Sequence, residues 1–445
     1  MRVYFRTFGC KANQYDTERM RQAVEFQGAV AVPGWIDADV CVVNTCTVTN
    51  RADAEARRFL RRIRRDNPSS RVVVAGCSAA LRGAEYRMME GVAAVVAGPD
   101  PRAVAAAVGR AGGARPGSGL VQLELRRALD RIDTEPVGAE LLRERAGATR
   151  GWLKIQDGCD RRCSFCATRL ARGASRSRPP EEVVREAALL ACTHPELVLT
   201  GIHIGHYGLD LDPASSLSRL LATLLDRVPD VRFRIGSVEA TEVDSLLLDL
   251  MAEAGGRVAP HLHMPLQSGA DPVLRRMRRW HTREAYRSRA LEIAERLPVL
   301  GLGADVITGF PGETDADQAA TRSLVEELPY TYLHVFPFSP RDGTFAAELN
   351  ATTPVPQRVA GARARELRKL AEAKGHAYRA RRSGASVEVT LEARETVALT
   401  GDYLRVRAEG KGCGAAGSTP RLYRGVLRGG EGDLYIDLSR PDALN

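Results

Sequence analysis

From Gly151 to about Arg341 one pattern returns roughly six times: a short apolar run, then an amphipathic stretch of helical period. Trp152–Gln156, Leu197–Thr200, Arg232–Ile235, His261–Pro265, Gly303–Ile307 and Leu333–Pro337 read as strands. Glu181–Ala191, Leu217–Arg227, Val243–Glu253, Arg283–Leu297 and Asp315–Glu327 read as helices. Strands that hand over to helices in turn make a parallel sheet with crossover helices, an α/β unit. Roughly six such units are too few to close an eight-stranded barrel. The loops after the strands are where folds of this kind place their chemistry.

The loop after the first of these strands reads Gln156-Asp157-Gly158-Cys159-Asp160-Arg161-Arg162-Cys163-Ser164-Phe165-Cys166. Cys159, Cys163 and Cys166 stand in a C-x3-C-x2-C spacing. Three thiolates this close can hold three irons of a four-iron cluster and leave the fourth iron open. An open iron accepts a small chelating ligand and can pass it an electron. A structural zinc site prefers four ligands, commonly as paired C-x2-C knuckles, and no second knuckle lies nearby. The spacing, with Phe165 directly before the third cysteine, resembles the radical S-adenosylmethionine (SAM) enzymes. That resemblance implies a partial (β/α)6 barrel with a SAM-binding 4Fe-4S cluster at its mouth. The stretch Ala167-Thr168-Arg169-Leu170-Ala171-Arg172-Gly173 departs from the apolar pair and proline usual in that superfamily, which leaves the packing of this loop open.

By the same resemblance Phe165 and the strand ends carry the SAM contacts. Gly201, in Leu199-Thr200-Gly201-Ile202-His203, is expected beside the SAM amino group, and Glu239 at the ribose or amine. Gln267, in His263-Met264-Pro265-Leu266-Gln267-Ser268-Gly269, is expected at the barrel mouth. Ile307, in the stretch from Asp305 to Glu313, is expected on the adenine side. On residue type alone Gly201 equally marks a turn, Glu239 an ordinary surface acid, and Glu313 a charge complement to a helix start. The spacing of His203, His206, His261, His263 and His334 matches no helical or knuckle metal pattern, so each reads as structural.

Ahead of the barrel, residues 1–112 form a first unit. Val3–Phe5, Asp39–Val43, Arg71–Ala75 and Val92–Ala97 read as strands, with helices at Asp16–Phe26, Ala52–Arg65 and Arg102–Val108. The alternation predicts a doubly wound parallel sheet. Cys10, Cys46 and Cys77 each follow a strand, and such sheets bind ligands beyond their strand ends. The glycines before Cys10 and Cys77 let backbone amides approach a cluster closely. A second 4Fe-4S cluster on these three cysteines, again with one open iron, is expected. Cys41 and Cys192 read as small buried residues; Cys413 has no assigned role.

Phe8-Gly9-Cys10-Lys11-Ala12-Asn13-Gln14-Tyr15-Asp16-Thr17-Glu18 and the segment from Val43 to Asp53 resemble the N-terminal domain of methylthiotransferases. Lys11, Asn13-Gln14 and Thr47-Val48-Thr49-Asn50 are most similar to the branch acting on N6-threonylcarbamoyladenosine in tRNA, rather than on isopentenyladenosine or a ribosomal-protein aspartate. The resemblance implies that SAM, cleaved reductively at the barrel cluster, activates C2–H of that nucleoside, and that the second cluster delivers sulfur. It also implies the tRNA anticodon stem-loop, an electron-donating reductase and a sulfur donor as partners.

Composition fits this reading without requiring it. The 445-residue chain has no run of about 18 apolar residues and so no membrane span. Its start, Val3-Tyr4-Phe5, reads as a strand rather than a secretion signal, and its nine cysteines suit metal chemistry better than a disulfide framework, so a cytoplasmic location is expected. A net charge of +9 suits a polyanion, although an Arg-rich, Lys-poor composition equally reflects genome bias. Arg51–Arg65, with seven arginines and two acids, is either an RNA-phosphate contact or a solvated helix face.

Residues 113–145 read as a linker, 146–376 as the barrel unit, and 379–443 as a small antiparallel β-barrel. Leu399-Thr400-Gly401-Asp402-Tyr403-Leu404-Arg405-Val406 resembles the TRAM domain, an OB-like RNA-binding module. Its basic residues Arg405, Arg407, Lys411, Arg421, Arg424 and Arg428, with Tyr403 or Tyr423 stacking, are the expected RNA contacts. The fold class is thus α/β plus a small all-β unit.

Overall fold

The computed structural model describes residues 1–48, 50–113, 121–122, 141–392, 396–410, 421–430 and 432–443. Most of the expected linker, together with Thr49, Lys411 and Cys413, lies outside the described residues.

Valine-rich runs set the first unit. Its elements are β1 (Arg2–Thr7), α1 (Lys11–Phe26), β2 (Val30–Ala31), β3 (Val40–Thr45), α2 (Asn50–Asp66), β4 (Arg71–Gly76), α3 (Cys77–Arg87), β5 (Val92–Val95), α4 (Pro101–Gly113) and β6 (Val121–Gln122). The strands pair in the order β2-β1-β3-β4-β5-β6, parallel throughout. β3 is buried at every position, as a strand covered on both faces must be. Met20 and Val104 pack with Val42 and Val73 on one face; Leu60, Ile63 and Tyr86 pack with Val43 and Val74 on the other. The doubly wound sheet is therefore as expected. α3 is not: β4 passes directly into it, so Cys77 opens a helix rather than a loop. Small residues at Ser78, Ala79, Ala80 and Gly83 leave that helix without a clear apolar period. Cys192 is exposed, against the expectation of burial, whereas Cys41 is buried.

The second unit contains β7 (Arg150–Lys154), β8 (Gln156–Asp157), α5 (Thr168–Arg172), β9 (Arg176–Ser177), α6 (Pro180–Ala191), β10 (Glu196–Thr200), α7 (Leu217–Arg227), β11 (Arg232–Ile235), α8 (Ser245–Glu253) and β12 (His261–His263). It continues through α9 (Asp271–Arg276), α10 (Arg283–Arg296), β13 (Gly301–Thr308), α11 (Asp315–Glu327), β14 (Tyr332–Pro337), α12 (Phe345–Thr352) and α13 (Gln357–Arg382). β7, β10 and β11 form one parallel sheet and β12, β13 and β14 another. Single bridges Phe233–Val258 and Ser237–His263 join them. The result is a six-stranded partial barrel, open between β7 and β14. α1 covers the β7 edge: Trp152 Nε1 donates to Gln14 Oε1 at 3.1 Å, and the Tyr15 hydroxyl to Glu186 at 3.0 Å.

β15 (Ser386–Glu392), β16 (Val397–Thr400), β17 (Arg405–Glu409), β18 (Tyr423–Arg428) and β19 (Tyr435–Ala443) close a small barrel. One pairing, β17 with β19, is parallel, so the barrel is not purely antiparallel as expected. This unit sits under the N-terminal ends of the barrel strands. Arg234 donates to the carbonyls of Thr400 and Gly401 at 3.0 and 2.8 Å, and Arg150 to Glu392 at 2.7 Å. Tyr403 stacks on His261 at 4.2 Å, and Tyr423 lies in the small core. Neither ring is presented for base stacking, against the sequence reading. Arg405, Arg407, Arg424 and Arg428 each face an acid, so that basic cluster is locally balanced.

Glu196 anchors this lower end. It is fully buried and takes Arg232 Nε at 2.7 Å, Arg234 Nε at 2.8 Å and Arg150 Nη1 at 3.6 Å. Replacing it by Gln should leave three buried guanidiniums without their shared anion and destabilise the chain by about 3–5 kcal/mol, read from the shift in denaturant midpoint.

Candidate functional site

The cysteines fall into two groups at the upper strand ends. Cys10 N-caps α1, Cys46 follows β3 and Cys77 opens α3. Positive φ and close packing explain the glycines. Gly9 has φ +107°, and a Cβ there would stand 2.6 Å from Cys46 Sγ; Gly76 has φ +93°, and a Cβ there would meet Asn44 Oδ1 at 2.1 Å. Each glycine thus admits a neighbour from the adjoining strand, and at Gly9 that neighbour is the Cys46 side chain with its sulfur. The charges of Cys10 and Cys77 both act on Cys46, whose thiol burial pushes up to about 12. Cys159, Cys163 and Cys166 form the second group, and burial likewise pushes Cys159 up to about 12.

A guanidinium donates to one sulfur of each group. Arg172 Nε reaches Cys77 Sγ at 3.1 Å, and Arg279 Nη1 reaches Cys163 Sγ at 3.5 Å. A neutral thiol is a poor acceptor, whereas thiolate or cluster sulfur rewards such a donor. Three ligands of one tetrahedral zinc would stand roughly 3.8 Å apart, from Zn–S bonds of about 2.3 Å. Among the described residues, neither cysteine group gathers its sulfurs within 4.8 Å of one another. The donor chemistry therefore fits two iron–sulfur clusters better than two single ions.

Between the groups lies a buried lattice of charge. Arg172 Nη1 bonds both Asp157 oxygens at 2.9 and 3.0 Å, and its Nη2 bonds Asp16 at 2.7 Å and Asn13 Oδ1 at 2.5 Å. Lys154 Nζ joins Asp16 at 2.7 Å and Asp157 at 2.5 Å. Burial alone would raise the Asp157 carboxyl, but Arg172 and Lys154 hold it well below the usual carboxylate range. Asn13 and Asp16 come from the first unit, Lys154, Asp157 and Arg172 from the second. Sequence reading missed all five; the available signal was Asn13 and Asp16 one turn apart on a helix capped by Cys10.

The expected SAM contacts gather at the mouth. Phe165 and Ile307 pack against one apolar patch with Val273, Phe310 and Phe338. Gln267, at φ 66°, bridges to β13 through its backbone, its N–H donating to Asp305 O at 2.8 Å and its carbonyl accepting from Ile307 N at 2.9 Å. A Cβ on Gly201 would meet Gln156 O at 2.7 Å, and Gln156 Oε1 takes the amides of Ile202 and His203. Glu239 is buried in an ion pair with Arg279. Glu313 accepts from Gly309 N and Arg363, a loop clasp rather than a helix-start charge.

The histidines are gathered more closely than spacing suggested. His203, His206 and Glu242 bring donor atoms within 4.8 Å, as do His263, Asp305 and His334. Mutual hydrogen bonds account for both sets: His203 Nε2 with Glu242 at 2.8 Å, and His263 and His334 each with Asp305 at 3.2 Å. Among the described residues no helix is long and apolar enough to cross a membrane.

Comparison with known proteins follows the same division. Residues 2–98 match the uncharacterized protein family UPF0004, and residues 153–325 the radical SAM superfamily. Threonylcarbamoyladenosine tRNA methylthiotransferase MtaB of Bacillus subtilis (strain 168) is 35% identical over 419 residues, 92% of this chain and 90% of the relative. The protein of the same name from Aquifex aeolicus (strain VF5) is 32% identical over 421 residues, 92% and 97% of the two chains. The tRNA-2-methylthio-N(6)-dimethylallyladenosine synthase of Sorangium cellulosum (strain So ce56) is 36% identical over 414 residues, 87% and 81%. Among solved structures, the radical SAM methyltransferase TsrM of Kitasatospora setae shares the fold, with a TM-score of 0.58 at 17% identity over 78% of this chain and 77% of that one.

Behind Arg279, burial and that neighbouring cation push His281 from 6.5 down to about 4. The unfolded chain therefore takes up this proton first as pH falls below its ordinary pKa, and folded stability drops progressively until the folded value is reached. The loss should come to about 3 kcal/mol. Denaturant melts between neutral pH and the folded pKa should show this slope in the native chain and a flatter one in His281→Asn.

Proposed function

The chain belongs to the radical SAM methylthiotransferases, and from that premise we propose that it converts N6-threonylcarbamoyladenosine, next to the tRNA anticodon, to its 2-methylthio derivative. The observation that carries the reading is the pair of cysteine groups from two units, facing one buried lattice, each with an arginine on one sulfur. Cys159, Cys163 and Cys166 hold the SAM-binding 4Fe-4S cluster; Cys10, Cys46 and Cys77 hold the auxiliary one. When bound, the two clusters and SAM supply the electron, the activation of C2–H, the sulfur and the methyl group.

The chain's own residues orient and insulate. Phe165 and Ile307 offer an apolar wall for the adenine of SAM. Gly201, Glu239 and Gln267 line the mouth, with Glu239 acting through Arg279. Arg172 fixes Cys77 relative to Asp157, two residues before Cys159. We take residues 1–112, 146–376 and 379–443 as the three functional units. An electron-donating reductase and a sulfur donor complete the turnover, in the cytoplasm.

Segments 8–18 and 43–53 support the threonylcarbamoyl substrate. The five relatives named for threonylcarbamoyladenosine, at 31–35% identity, support the same substrate; the one named for the dimethylallyl nucleoside, at 36% over 87% of this chain and 81% of its own length, supports the alternative. Anticodon stem-loops carrying either nucleoside separate the two readings, with the 2-methylthio product identified by mass spectrometry. Anaerobic reconstitution should give about eight irons, and about four when either cysteine group is replaced by alanine. About four irons falling to none in the Cys159/Cys163/Cys166 variant would remove the auxiliary site.

Arg172→Lys keeps a cation between the carboxylates but loses the planar donor to Cys77. It should lower the auxiliary reduction potential at unchanged iron content, as an EPR-monitored redox titration will show.

A further inference from the structure

Lys11 follows Cys10 and begins α1. Its ammonium lies 5.8 Å from the Trp152 ring and feels the charges of Arg150, Arg234, Glu196 and Cys10. Trp152 precedes Lys154 by two residues on the same face of β7. That offset is about 7 Å along the strand, so Lys11 lies beside the ring next below the charge lattice on the β7 side of the barrel.

The carboxylates at this depth are already used. Glu196 is shared by Arg150, Arg232 and Arg234, and Glu392 by Arg150 and Arg405. Asp305 faces His263 and His334. Among the described residues no carboxylate or carbonyl bonds the Lys11 ammonium, which is only partly exposed. Glu196 and the Cys10 sulfur act on it only through space, so an ammonium held partly off bulk solvent keeps hydrogen-bonding capacity that an anionic guest can take up.

The substrate proposed above carries an anion. A threonylcarbamoyl group ends in a carboxylate, and its attachment point lies two ring bonds from C2. With C2 presented to the cysteine groups, the substituent extends away from them by several ångström. We propose that Lys11 is the counter-ion for the carboxylate of the threonylcarbamoyl group, and so sets the preference for that nucleoside over one with an uncharged N6 substituent. The inference rests on the threonylcarbamoyl reading. Lys11 is here a specificity residue that touches substrate.

The test uses the reconstituted full chain and three stem-loop RNAs, bearing the threonylcarbamoyl nucleoside, its neutral carboxamide, and isopentenyladenosine. The readout is the acid-to-amide ratio of kcat/KM within each protein, so that partial cluster loss cancels. Native protein should favour the acid by about 10- to 100-fold. Lys11→Met should bring that ratio to about one, and Lys11→Arg should keep most of it. An unchanged ratio in Lys11→Met overturns the proposal alone. So does a raised KM for SAM at an unchanged ratio, which assigns the ammonium to the SAM carboxylate. Native protein that modifies the isopentenyl RNA and not the threonylcarbamoyl RNA overturns the substrate reading and the proposal together.

Discussion

Two buried cations and two buried carboxylates decide how the halves of this site face each other. Arg172 and Lys154 each bond both Asp16 and Asp157. Ion pairs this deep rarely add net stability over well-packed apolar groups, because the lost hydration is so large. Their contribution is geometric. A guanidinium that must satisfy Asp157, Asp16, Asn13 and Cys77 at once has one acceptable position, and the first unit is held to the barrel in that position.

The lower end of the barrel uses the same device with the charges reversed in proportion. There one carboxylate, Glu196, gathers three arginines, and the surplus guanidinium donors reach carbonyls of the small barrel. The partial barrel thus meets the first unit through ions at its upper end and the third through ions at its lower end. What remains between is an interior lined by histidines, Tyr332 and Asp305 rather than by the apolar layers of a filled barrel. A charged interior is expensive to leave dry, and it suits a polar guest.

Much of this was legible in the residues. Leu217–Arg227 and Asp315–Glu327 were read to the residue because their apolar period is clean and Ser216 and Thr314 cap them. The two cysteine groups were legible as well, one by local spacing and the other because parallel strands bring distant ends to one edge. Helices α3, α5 and α9 were not; they are short or built of small residues, and docking rather than periodicity makes them helical. Arg172 was read only as part of the stretch after the cysteine loop, whose packing was left open. Its partners Asn13 and Asp16 are 159 and 156 residues away, and a pairing that long leaves no pattern in a window. Tyr403 was misread for the opposite reason. Its local motif is clear, but the ring is taken by His261, which no local reading supplies.

The position of Arg172 also orders events during synthesis. Cys10, Cys46 and Cys77 all lie within the first unit, which the ribosome completes early. The donor that bonds Cys77 belongs to α5 of the next unit, and Asn13 and Asp16 wait for the same guanidinium. A nascent chain stopped before α5 therefore displays all three thiols with their surroundings unfinished. The surroundings of these three thiols become whole only once the barrel has begun to fold against them, so the barrel's own cysteine loop has left the ribosome by the time they are complete.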